Sequence, residues 1–245
     1  IADWNTPSNS VFQEAFVLDT EPFDSQLCEA PRWQCIDQPN TGVMLEALND
    51  RLMFRLQFRN FGTYATRVLN HTVDADGNGL AGIRWYELRD SLDGNGWEIY
   101  QQGTYAPDDD HRWMASIAMN GEGTIAMGFT VSDNDSVFPS IRYTGRHKDA
   151  PLGEMSYQEI ELVSGSGSQS YNRWGDYAMT SVDPVDDTTF WHTNEYSIGG
   201  WKTRIASFDF GPISPPTAAV GPDTTVCVNE VFYRTASATN QKSVT

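Results

Sequence analysis

Short apolar runs separated by turn residues recur along this chain. His111-Arg112-Trp113-Met114 opens one such run, Ser116-Ile117-Ala118-Met119, which stops at Asn120-Gly121-Glu122-Gly123. A second run covers Thr124 to Val131, and a third begins at Ser140-Ile141-Arg142-Tyr143. The same order returns from Asn172-Arg173-Trp174: Tyr177 to Val182, a break at Asp183-Pro184, Thr188 to Tyr196, then Lys202-Thr203-Arg204-Ile205. The interval from Arg112 to Arg142 matches that from Arg173 to Arg204 to within a single position. Gly82-Ile83-Arg84-Trp85-Tyr86 is an earlier copy of the last run, set nearly as far before Arg142 as Arg142 is before Arg204. A repeat of about 60 residues made of short strands predicts an all-β fold of the β-propeller type.

Arg51 to Phe61 alternates, with Leu52, Phe54, Leu56 and Phe58 in one row, Arg51, Arg55, Gln57 and Arg59 in the other, and Met53 as the exception. Period two predicts a half-exposed strand with the apolar row inward. Three four-stranded blades follow, at about 51–105, 112–163 and 173–210, within a partial propeller spanning 1–210. Asn120-Gly121 marks a hairpin. Only Pro39 to Leu52 could be helical, and it reads as strand equally well.

The third blade lacks its fourth strand, because Gly211-Pro212-Ile213-Ser214-Pro215-Pro216 reads as a stiff linker. Val11–Leu18 is one strand that could complete a blade. Three blades and a remnant are too few to close a ring. Further blades are therefore expected ahead of Ile1, read as a processed or truncated start, or from another chain. Otherwise an apolar face would lie open.

Composition narrows the function. A net charge of -17 argues against nucleic acid and anionic membrane surfaces. No stretch approaches the ~18 apolar residues that a spanning helix needs, so no membrane insertion is expected. Cys28 and Cys35, on either side of Pro31, are read as a local disulfide, which predicts an extracellular or cell-surface location. Two reduced loop cysteines are the other reading. Cys227 is left without a partner.

Asp108-Asp109-Asp110-His111-Arg112-Trp113, Pro139-Ser140-Ile141-Arg142-Tyr143-Thr144-Gly145-Arg146 and Arg173-Trp174-Gly175-Asp176-Tyr177 resemble a family of large secreted bacterial β-propeller proteins followed by polycystic-kidney-disease-like (PKD) domains or type IX secretion sorting signals. The resemblance covers roughly Phe16 to Phe210. Pro216–Val228 is similar to the opening of a PKD module, which makes 217–245 the start of such a β-sandwich or a tail. The resemblance implies fold and location and carries no catalytic residues.

Three constellations carry candidate chemistry. Asp74-Ala75-Asp76-Gly77-Asn78-Gly79 alternates oxygen side chains as calcium loops do, so Asp74, Asp76 and Asn78 are candidate Ca2+ ligands. A bidentate Glu at the twelfth position is missing, because Trp85 stands there, and an Asx-stabilised turn is the other reading. The adjacent carboxylates Asp108, Asp109 and Asp110, with His111, need a cation, basic neighbours or free solvent. Arg84, Arg142 and Arg204 recur at one repeat position, as Arg112 and Arg173 do at another. They are either scaffold or, if convergent, the arginine cluster of a sialidase-type glycoside hydrolase.

The expected function is a non-catalytic binding, adhesion or structural module that takes a glycan or another surface protein. Its ligand residues would be Asp108, Asp109, Asp110, His111 and Asp176, with Trp113 and Trp174 either stacking platforms for sugars or packing between blades. The alternatives are the hydrolase and an assembly subunit completed by a partner chain.

Overall fold

The computed structural model describes residues 5–9, 17–28 and 34–211, and the backbone of 217–219 and 237–239. Most of Val11–Leu18, Pro31, Cys227 and most of the PKD-like segment lie outside the described residues. The chain forms two compact units, 1–207 and 208–245. In the second, β12 (Thr217–Ala219) pairs antiparallel with β13 (Ser237–Thr239).

The first unit is all-β. Its described residues hold one 3-10 turn, Pro7–Asn9, and no α-helix. The first sheet is an antiparallel meander of β1 (Gln57–Asn60), β2 (Ala65–Asp74), β3 (Ala81–Asp90) and β4 (Trp97–Tyr105). The second is a meander of β5 (His111–Met119), β6 (Ile125–Ser132), β7 (Ser140–Arg146) and β8 (Ile160–Val163). The third has β9 (Met179–Val182), β10 (Phe190–Ser197) and β11 (Trp201–Phe208), with β10 in the middle. Arg84, Arg142 and Arg204 thus all fall on third strands.

Alternation of side chains fixes how the sheets stack. Val68, Ile83 and Trp85 of the first sheet pack on Ala115, Ile117, Met119, Ile125, Met127 and Phe129 of the second. The opposite face of the second sheet meets the third: Thr180 NH donates to Ser116 Oγ at 2.8 Å, and a Cβ on Gly128 would strike the His192 ring. The second sheet is therefore sandwiched, and β5, an edge strand, is buried along almost its whole length.

A buried edge leaves main-chain groups without ladder partners. Flanking side chains supply them here. Gln57 takes both groups of Met119, accepting its N–H and donating Nε2 to its C=O at 3.1 Å. Thr180 Oγ1 donates to Ser116 C=O at 2.8 Å, and Asn194 Nδ2 to Met114 C=O at 3.2 Å. Arg59 joins all three sheets: its Nε donates to Met119 C=O at 3.0 Å and its two terminal nitrogens grip Asp187 at 2.8 and 2.6 Å.

This sealing corrects the reading of 51–61. Only 57–60 form a strand. In the polar row Gln57 is buried and Arg55 and Arg59 are half-buried, whereas Leu52, Phe54, Leu56 and Phe58 are each more than half exposed. Met53, the exception to the alternation, is buried. Pro39 to Leu52 forms neither helix nor strand. Ile36 bridges Leu45, and this irregular stretch closes one apolar cluster with Trp113, Met114 and Trp174. Cys28 and Cys35 are bridged, with Cα atoms 5.5 Å apart.

Gln57→Met keeps the volume but orphans the Met119 N–H and leaves its C=O to Arg59 alone, and is expected to cost about 1–3 kcal/mol in urea unfolding. His192 is fully buried, and burial lowers its pKa to about 4. The unfolded chain takes up that proton near pH 6.5 while the fold resists it until about 4. Stability should therefore be complete above about 6.5 and fall by about 3 kcal/mol as pH drops toward 4. His192→Leu should flatten this slope in denaturation series at stepped pH.

Candidate functional site

The acidic run before β5 meets basic neighbours. Arg112 is buried, and its guanidinium lies between two carboxylates. Asp108 accepts from it at 2.6 and 2.9 Å, Glu159 at 2.7 and 3.1 Å, and Asp110 C=O at 2.9 Å. Those five contacts match the five N–H donors of an arginine. Arg142 donates to Glu159 at 2.9 Å and reaches Asp110 at 3.4 Å, and the Tyr105 hydroxyl donates to Glu159 at 3.1 Å. Hydrogen bonding to Arg112 lowers the pKa of Asp108, whereas burial and then the Asp108 charge raise that of Asp110.

The cluster brings Asp108 and Asp110 together with Glu159 and Tyr105, which the sequence did not single out. It leaves out Asp109, which is exposed, and His111, whose ring turns toward the first sheet and accepts Ala81 N–H at Nδ1, 3.1 Å. Arg112 has no N–H left for a substrate carboxylate. Arg84 bonds Gln102 and Thr104, neither of which bonds Arg142, and Arg204 is exposed. Arg112 and Arg142 meet at Glu159, whereas Arg84 and Arg204 stand apart from them.

Trp113 and Trp174 correct the stacking-platform reading. They are 0% and 1% exposed, their rings lie 6.1 Å apart, and Trp174 donates to Thr130 Oγ1 at 3.3 Å. They pack between sheets beneath the 35–53 segment, so no ligand can lie on their faces. Asp176 pairs with Arg173, which also reaches the buried Glu46 at 2.9 Å. That pair fastens the covering segment to the third sheet.

The calcium candidates turn their oxygens onto their own loop. Asp74 accepts the N–H groups of Asp76, Gly77 and Gly79 at 3.2, 2.8 and 2.9 Å, and Asp76 accepts those of Asn78 and Leu80. This is an Asx-stabilised turn. Among the described residues no group of three or more His, Cys, Asp or Glu is placed to hold a metal ion.

A hollow of about 520 Å³ opens instead on the outward face of the first sheet. Leu69 and His71 of β2, Tyr86 and Leu88 of β3 and Ile99 of β4 form its floor. Phe23 and Leu52 are among the residues that wall it. The polar groups are few. His71 Nε2 and the Tyr86 hydroxyl are hydrogen-bonded at 3.1 Å, with Arg84 over the Tyr86 ring. Burial first, and then the Arg84 charge, lower the His71 pKa to about 4, so its imidazole is neutral near pH 7. Asn49, also in the wall, is anchored by Nδ2 to Ser25 C=O at 2.6 Å. Sequence reasoning missed this hollow because its floor comes from three strands. The one local signal was a histidine in the Leu69–Val73 alternation.

Arg112→Met is expected to cost about 3 kcal/mol in urea unfolding, because it takes the fork from Asp108 and leaves Glu159 with only Arg142 and Tyr105. Arg112→Lys should restore little, since an ammonium cannot grip both carboxylates in a fork. No protein family, curated protein or solved structure matched this chain.

Proposed function

We propose that this chain is part of an extracellular β-propeller that works by recognition, with the outward face of the first sheet as its ligand surface. Three consecutive antiparallel meanders, with Arg84, Arg142 and Arg204 on matching third strands, support the propeller reading. The Cys28–Cys35 bridge supports an oxidising compartment.

The hollow carries the functional reading. Binding sites for small ligands combine apolar walls with a few polar groups that orient the ligand. Here the apolar lining is Leu69, Leu88 and Ile99 of the floor with Phe23 of the wall, and the orienting groups are His71 and Tyr86. The ligand is amphipathic, with an aromatic or aliphatic body and a hydroxyl or carbonyl that meets the His71–Tyr86 pair. Exposed Leu52 and Phe58 extend the apolar surface.

Ligand-observed NMR with phenol-bearing fragments tests this. Saturation transfer is expected from the native chain. It should be lost in Leu69→Trp, which fills the hollow, with the melting temperature within a few degrees. Equal signals from both proteins, or none from the native one, would remove the hollow as the site.

A further inference from the structure

The first two sheets each carry a fourth strand, and in each the arginine of the third strand reaches an acceptor beyond it. Arg84 stands opposite Thr104 in β4 and donates to its hydroxyl at 3.3 Å and to Gln102. Arg142 stands opposite Glu161 in β8 and donates to Glu159, just before that strand, at 2.9 Å. The third sheet ends at β11, an edge strand. Its Trp201 and Ile205 are 52% and 64% exposed, and Lys202, Thr203 and Arg204 are exposed as well. Among the described residues Arg204 has no ion-pair partner.

We infer that β11 is a docking edge for an extended strand of a separate partner protein, in which a glutamate flanked by aliphatic residues is set opposite Arg204. The partner's main chain completes the ladder, and its alternate side chains meet Ile205 and Trp201. Charge and the internal repeat both select this occupant. In the second sheet the strand in this position reads Glu159-Ile160-Glu161-Leu162-Val163. The residues that follow β11 are ill suited to the place: Pro212, Pro215 and Pro216 have no N–H for a ladder. A second β11 is also a poor occupant, because Lys202 and Arg204 of both copies would face like charges.

The test uses the full chain and a fluorescent peptide of the Tyr157–Ser164 sequence as the strand probe. Saturable binding is expected in anisotropy titrations. Arg204→Glu in the protein should weaken it roughly fivefold or more, and a peptide carrying Glu161→Lys should recover it. Arg204 is on the surface, so the variant should fold, and circular dichroism checks this. Three results would overturn the proposal: no binding, binding indifferent to both charge changes, or β11 amides already protected from hydrogen exchange in the free chain. A native-chain dimer in which the β11 amides become protected would likewise overturn it and assign the edge to a second copy instead.

Discussion

The three-sheet body depends on how β5 hides its open edge. A strand at the rim of a sheet has N–H and C=O groups with no ladder, and burying them unpaired costs more than most side-chain contacts return. In this protein the rim strand is nonetheless buried along almost its whole length. Side chains from both flanking sheets stand in for the missing strand. The Gln57 amide is nearly a peptide group in shape and function, and it meets Met119 as a neighbouring strand would. Thr180 and Asn194 do the same from the other side. These bonds place the first and third sheets relative to the second, since each works only at hydrogen-bond distance.

Arginine then serves two distinct purposes. Arg112 is shut in and spends every donor on Asp108, Glu159 and the Asp110 carbonyl. Such a group stabilises only as long as both carboxylates stay in place, because a buried charge without partners is far costlier than a solvated one. Arg84 and Arg142 lie on third strands and tie each to the strand beyond. The acidic run beside Arg112 therefore acts as a counter-charge to a scaffold cation, and its proximity to apolar Trp113 follows from that framework.

The outward face of the first sheet carries the apolar hollow. Its apolar row and the neutral His71 fit together physically. An imidazole with its pKa lowered to about 4 behaves near neutral pH as an aromatic with two hydrogen-bonding atoms, and does not demand a counter-ion inside an apolar hollow. The strongly negative chain thus carries a hollow that is almost uncharged at its floor.

Much of this was legible in the residues taken in order. The apolar runs and the turns between them marked β3, β5, β6, β7, β9, β10 and β11, because runs and breakers are local. Asn120-Gly121 marked its hairpin, and the spacing of Cys28 and Cys35 marked their bridge. The direction in which a strand faces was not legible. Leu52, Phe54, Leu56 and Phe58 pointed inward by hydrophobicity, yet they lie outside because Gln57 had to reach Met119. Trp113 and Trp174 likewise could be read as surface or core until the 35–53 segment was seen to cover them. Local pattern determined which residues are strands and where they turn. Only the packing of sheets distant in sequence decided which face is buried, because that choice turns on satisfying main-chain groups that lie far along the chain.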